Sequence, residues 1–305
     1  MYKINYLKIA FIVFFAITPC LSRGQYCSKI PIFEKKTSAS KPFIMADTLK
    51  HKNNNNGIYI GVNLGFYFAN RYTAQHYDGR GISKYYGNGI TNIDYVLNLP
   101  YNHQDITNLL GYDFKSEEIE LPTKMKYNPA LLLGFYTKYN IKNFGIFAQF
   151  NFAKIRTSDV FTIKIMDSHY PTANPTYKQE AIYGAEQRVN IDIGFSYTFN
   201  SEEKTKPYIE LGYNLNNTKF LESKIKIEGR EYSIIDPYYS YYQIEQAGVG
   251  MGAFLGGGVE LNFNESISIN PGFNLYYSKI KLGDYNDKYN LNYSLFVRAI
   301  LNGLL

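Results

Sequence analysis

From Gly57 onward, hydrophobic and polar positions alternate with a period of two. In the first segment Ile58, Ile60, Val62, Leu64, Phe66 and Phe68 fall on one face, and Tyr59, Gly61, Asn63, Gly65 and Tyr67 on the other. Successive strand side chains point to opposite sides, whereas a helix face needs spacings of three and four, so the segment is a strand. Seven more segments follow the same rule, at 131–139, 144–152, 189–199, 209–215, 251–263, 267–275 and 291–301. The fourth is the most regular: Val189, Ile191, Ile193, Phe195, Tyr197 and Phe199 oppose Asn190, Asp192, Gly194, Ser196 and Thr198.

The connections alternate as well. Those at 140–143, 200–206 and 264–265 are short, and those at 69–128, 156–187, 216–247 and 278–289 are long. Short turns at one end and long loops at the other are the pattern of a membrane barrel with its turns in the periplasm. The chain therefore predicts an all-β fold: one eight-stranded antiparallel up-and-down transmembrane β-barrel over residues 57–305, with long extracellular loops. Alternation continues into the loops at Phe161, Ile163 and Ile165, and at Ile225 and Ile227 before Glu228-Gly229. These stretches are expected to extend the third and fifth strands beyond the membrane rather than to add spans.

A soluble up-and-down barrel shows the same alternation but must fill its inside with apolar residues. Here the second face is largely Gly, Asn, Ser, Asp and Glu, which suits a hydrogen-bonded lumen. Composition supports the membrane reading: the chain has 31 Tyr, 21 Phe and no Trp, and the rings cluster at segment ends. Tyr139, Phe144, Tyr197, Phe199 and Phe263 border the short turns, while Phe68, Tyr277 and Tyr289 border the long loops. Two belts of amphipathic rings mark two lipid–water interfaces.

The first residues read as an export signal, with Lys3 and Lys8, an apolar stretch at 9–17, Pro19, and Ser22-Arg23-Gly24 as the cleavage site. Cleavage after Gly24 leaves Gln25 first. A lipoprotein signal ending at Cys20 is disfavoured by Pro19 directly before it. Losing Lys3, Lys8 and Arg23 takes the formal net charge from +6 to +3. The remaining lysines are scattered, so no nucleic-acid footprint is present. Cys27 stays alone in a polar, aperiodic segment, 25–56, which reads as a flexible periplasmic tail.

Signal peptide, eight Tyr- and Gly-rich strands and long Asn/Tyr loops together resemble the outer-membrane β-barrel domain proteins of Bacteroidota, a group that includes PorT-like proteins. The resemblance covers residues 57–305 and rests on pattern, not on a catalytic motif. It implies an outer-membrane location in the Gram-negative cell envelope and structural, adhesive or secretion-linked roles. The last residue, Leu305, departs from the Phe of the best-known barrels.

Chemistry has few footholds. Lys138, Asp192, Glu210, Glu260 and Arg298 lie on the inward face, and in so narrow a lumen they must pair or stay hydrated. Salt bridges are the expectation, with an ion or proton path as the rival. The glycine run Gly248, Gly250, Gly252, Gly256, Gly257 and Gly258 precedes no helix and no phosphate-binding Lys, so it relieves crowding beside inward rings such as Phe254, Phe147 and Tyr136. His76, Asp78, His103 and Asp105 share the first long loop and His169 lies in the second, a set that could bind a transition metal or supply the general base of an outer-leaflet enzyme, yet no nucleophile has a recognisable setting. Nothing calls for a cofactor or metal. The loops are rich in Tyr, notably Tyr85, Tyr86, Tyr95, Tyr238, Tyr239, Tyr241 and Tyr242, the composition of adaptable binding surfaces. The sequence thus predicts a closed, non-porin barrel, surrounded by outer-membrane lipid, that anchors Tyr-rich loops for a protein or glycan partner of the envelope. A protease or lipid-modifying enzyme is the alternative.

Overall fold

The computed structural model describes residues 56–80, 93–166, 176–199, 203–234, 247–264, 266–282 and 288–302. The expected signal peptide and all of the expected tail except Asn56 lie outside the described residues. Among the described residues the ring is built from β1 (Gly57–Phe68), β3 (Ala130–Ile141), β4 (Phe144–Met166), β5 (Thr176–Thr198), β6 (Thr205–Ile227), β8 (Ala247–Asn262), β9 (Ile267–Lys279) and β10 (Tyr289–Leu301). Two shorter strands, β2 (Asp113–Glu120) and β7 (Arg230–Ser233), pair with β4 and β6 outside the ring.

Each ring strand is antiparallel to the next, and β10 returns to β1 with Ile60 opposite Leu301 and Phe68 opposite Tyr293. Closure leaves no unpaired edge, as hydrocarbon demands. The eight apolar rows point outward and are exposed, with Phe135 at 67%, Phe195 at 68% and Leu211 at 61%. An apolar surface running round the whole barrel suits lipid and not water. The protein is a membrane-spanning, eight-stranded barrel.

The strands differ in height. β4, β5 and β6 have 23 residues each, whereas a tilted membrane strand needs only about 9–11. Outward side chains turn polar above Phe152, Val189 and Leu215, where Lys154, Arg156, Gln187, Asn217 and Lys219 follow. The surplus stands above the membrane as a wall, widened by β2 and β7. The turn from β6 to β7 is Glu228-Gly229, with φ of 48° and 89°, the double positive φ of a tight hairpin.

Here the sequence expectation is corrected. The third and fifth strands extend as expected, but the fourth, β5, rises with them, so the described parts of 156–187 and 216–247 are largely strand rather than loop. The polarity of the sheet inverts at the membrane boundary: inward positions become apolar, namely Ile155, Phe161, Ile163, Ile182, Ile225 and Ile227. On β6 a bulge opposite Ala185 and Glu186 shifts the phase, so even-numbered residues face in up to Phe220 and odd-numbered ones from Ser223.

The 69–128 connection is likewise ordered in its described parts. It holds α1 (Arg71–Ala74), a single 3₁₀ turn (Gln75–Tyr77), α2 (Ile93–Asn98) and α3 (Pro100–Leu110). Pro100 opens α3, where a missing N–H costs nothing, and Gly111 ends it at φ 76°. Tyr77, Ile93, Leu97, Ile106 and Leu110 pack with the wall residues Phe161, Ile163, Ile182, Phe220, Ile225 and Ile227. This second hydrophobic core caps the barrel mouth.

Inside the ring, Gly194 and Gly212 face each other in register. A Cβ on Gly194 would meet the Leu211 carbonyl and lie 2.6 Å from Gly212 Cα. Gly194→Val should therefore lower stability by about 1–3 kcal/mol through overpacking, while the outward Phe195→Leu should cost under about 1.5 kcal/mol. Urea unfolding in lipid vesicles measures both.

Candidate functional site

The candidate site is the lumen together with the cap that closes it. Inward residues of several strands meet in tiers because the ring is only eight strands round.

In the tier at the short-turn end, Glu260 on β8 lies 3.8 Å from both Lys138 on β3 and Lys206 on β6. The Lys138 ammonium also sits 5.1 Å from the centre of the Tyr59 ring.

The middle tier is the densest. Arg298 on β10 donates to Glu210 at 3.0 Å, to Asn63 at 2.8 Å and to Gln149 at 3.0 Å. Tyr136 donates to Glu210 at 2.7 Å. Gln149 also donates to Asp192 at 2.9 Å, and Asn214 donates to the other Asp192 oxygen at 2.6 Å. The guanidinium lies 3.5 Å from the centre of the Tyr136 ring. Lys138, Asp192, Glu210, Glu260 and Arg298 thus all face the lumen, but as two tiers, and Asp192 is held by amides rather than a cation. Lys206 completes the lower tier. In the sequence it lay within a segment read as a turn.

A chain of rings that includes Tyr136 of the middle tier crosses the lumen. Tyr67 on β1, Tyr276 on β9, Phe254 on β8, Phe147 on β4 and Tyr136 on β3 follow one another at centroid distances of 6.0, 5.6, 5.6 and 6.0 Å. Phe254 and Phe147 come from opposite walls, so the contact bridges the bore.

The third tier joins barrel to cap. Arg188 on β5 donates to Glu186 at 2.5 Å, to Thr73 at 2.8 Å, to Asn292 at 3.2 Å and to Tyr67 at 3.4 Å. Glu186 accepts from Tyr77 and from Tyr127, each at 2.9 Å. Arg188 and Glu186 are fully buried and escaped the sequence reading. The signal was present, because both continue the inward phase of Asn190 and Asp192.

The histidines and carboxylates of the first long loop do not converge. His76 is buried edge-on between Tyr77 and Phe220. Asp78 pairs with Arg80. His103 meets Asp113 at 3.1 Å. Asp105 binds Arg230 and accepts from Tyr232 at 2.6 Å, so it ties α3 to β7. The Tyr232 hydrogen bond, then Arg230, holds the Asp105 carboxyl below its usual range. Burial lowers the His76 imidazole to about 3. Among the described residues no cluster of three or more His, Cys, Asp or Glu could hold a metal. Tyr95 is exposed on α2, whereas Tyr85, Tyr86, Tyr238, Tyr239, Tyr241, Tyr242 and His169 lie outside the described residues.

No protein-family model matches the sequence, and no curated protein matches it. Solved structures do. Neisserial surface protein A is 9% identical over 81% of this chain and 97% of its own, with a TM-score of 0.40. Ail, the attachment invasion locus protein of Yersinia pestis, is 11% identical over 80% and 98%, with a TM-score of 0.32. The outer membrane protein OprG from Pseudomonas aeruginosa is 11% identical over 82% and 99%, with a TM-score of 0.36.

Two outcomes follow from these tiers. Arg298→Leu strands the buried Glu210 carboxylate and should cost about 3–5 kcal/mol in vesicle unfolding, most of it recovered by adding Glu210→Leu. For His76, the unfolded group titrates near 6.5 and the folded one near 3. Between those values the opened cap binds the extra proton, so cap stability is complete above 6.5 and falls by up to about 1.4 kcal/mol per pH unit below it. The urea midpoint read from the Tyr77 and Phe220 ring signals should drop on acidification, and His76→Phe should flatten that dependence.

Proposed function

We propose that this protein is a closed outer-membrane anchor that carries a folded cap, on the outer side of the membrane, for a protein or glycan partner of the cell envelope. The chain of five rings across the lumen carries this reading. A bore filled by Phe147, Phe254 and Tyr276, and sealed again by the cap core above, offers no path for a solute. The working surface is therefore the cap itself. Its exposed face presents Tyr95 and Tyr112, with Tyr101 the most open at 82%. Tyr supplies contact area at low entropic cost, and here the rings stand on helices and a helix end rather than on free loops.

Export through a leader cleaved after Gly24 belongs to the same proposal, as does a place among the PorT-like barrels of Bacteroidota, which would make the partner a component of a secretion assembly. The enzyme alternative loses its support, since His76, Asp78, His103 and Asp105 each serve a different structural contact.

Planar-bilayer recordings should show little steady conductance, and large stable currents would sink the closed-barrel reading. A photo-crosslinker at Tyr101 should trap a partner in intact cells. Alanine at Tyr95, Tyr101 and Tyr112 together should weaken that capture by more than about tenfold if the rings are the anchor points. Unchanged capture would remove the cap face from the interface.

A further inference from the structure

The lipid-facing wall is not uniformly studded. On β6, β8 and β9 one outward row reads Tyr213, Ala253, Tyr277, in register. A methyl group between two rings leaves a trough one strand wide. Tyr289 stacks on Tyr277 at 5.4 Å and deepens its side. The trough has a volume of about 330 Å³ and is floored by Ala253 and the backbone of Gly212 and Gly252. Above it, sharing Met251 and Tyr289, lies a second hollow of about 180 Å³ lined by Val249, Lys279 and Lys281. The Lys279 ammonium stands 5.3 Å from the centre of the Tyr289 ring. Among the described residues no carboxylate pairs with Lys279 or Lys281.

The two hollows are continuous and differ in kind. The lower one opens only onto hydrocarbon, so its occupant there is an alkyl chain. The upper one sits where the aromatic belt ends, at headgroup depth, and carries two cations that pair with no carboxylate among the described residues. A single molecule that satisfies both has an acyl chain and an anionic headgroup. Given the proposed orientation, on which this inference rests, the long-loop end meets the outer leaflet, whose anionic lipid in a Gram-negative envelope is a phosphorylated, acylated glucosamine. We infer that this groove holds one such lipid, its chain against Ala253 between Tyr213 and Tyr277 and its phosphate between Lys279 and Lys281.

The full-length protein, folded in bicelles containing equal parts of diphosphoryl lipid A, phosphatidylglycerol and phosphatidylcholine, is examined by native mass spectrometry. Wild type should retain a lipid A adduct in preference to the other two. Lys279→Gln with Lys281→Gln should cut that adduct by about tenfold or more, since each cation near a lipid phosphate contributes on the order of 1 kcal/mol. Ala253→Phe, which fills the trough from the lipid side, should do the same, and Leu133→Phe on a distant wall should leave it intact. Equal retention of the three lipids, or an adduct that survives either groove variant, overturns the proposal. Heat-modifiable migration on a gel checks each variant for a folded barrel. A wild type that does not show it fails the membrane reading itself, and the groove falls with it for a separately visible reason.

Discussion

Everything in this molecule hangs on the seam where β10 meets β1. Until Ile60 finds Leu301 and Phe68 finds Tyr293, two strands carry unpaired backbone groups, and in hydrocarbon each such group costs several kcal/mol. Once the ring closes at eight strands, the bore is too narrow for anything but side chains. The inward face is then a packing problem with charges in it. Arg298, reached by Glu210, Asn63 and Gln149 together, is the solution at mid-depth. A guanidinium is suited to it because its fork donates in several directions within one plane.

The same ring sets the terms for the cap. A soluble core of this size, made of three short helices, a 3₁₀ turn and a strand, would be marginal alone. It is stable here because β4, β5 and β6 supply a preformed apolar sheet for it to lie on, and because Asp105 clips α3 to β7 through Arg230 and Tyr232. The wall changes character at one level: apolar outside and polar inside within the membrane, polar outside and apolar inside above it. One continuous set of strands thus serves two solvents.

The membrane half was legible in the sequence because lipid tolerates only one kind of outward residue, so rows such as Ile191, Ile193 and Phe195 stand out against Asn190, Asp192 and Gly194. The inward charges were legible as positions but not as partners, since register between distant strands decides who meets whom; Arg298 and Glu210 are 88 residues apart. The cap was missed although its marks were present. Ile93, Val96 and Leu97, with Ile106 and Leu110, have helical spacing, and Pro100 and Gly111 bracket α3. They lay in a stretch dominated by Tyr and Asn, which reads as loop. The bulge on β6 has no sequence mark, and the phase shift it causes hides the inward run of Ser223, Ile225 and Ile227.

The Arg188 cluster draws on residues far apart in the chain. Its contacts come from β5, from Thr73 on α1, from Tyr67 on β1 and from Asn292 on β10. The first and last strands of the ring therefore both contribute to the joint on which the cap rests. A barrel still open at its seam lacks that joint: Arg188 keeps Glu186, its neighbour on β5, but not Tyr67 and Asn292 together, and the wall behind it loses part of what holds its cover. Seating of the cap is in this way a record of completed assembly. A copy without its cap leaves Phe161, Ile163, Ile182, Ile225 and Ile227 uncovered, an apolar face that a finished one buries.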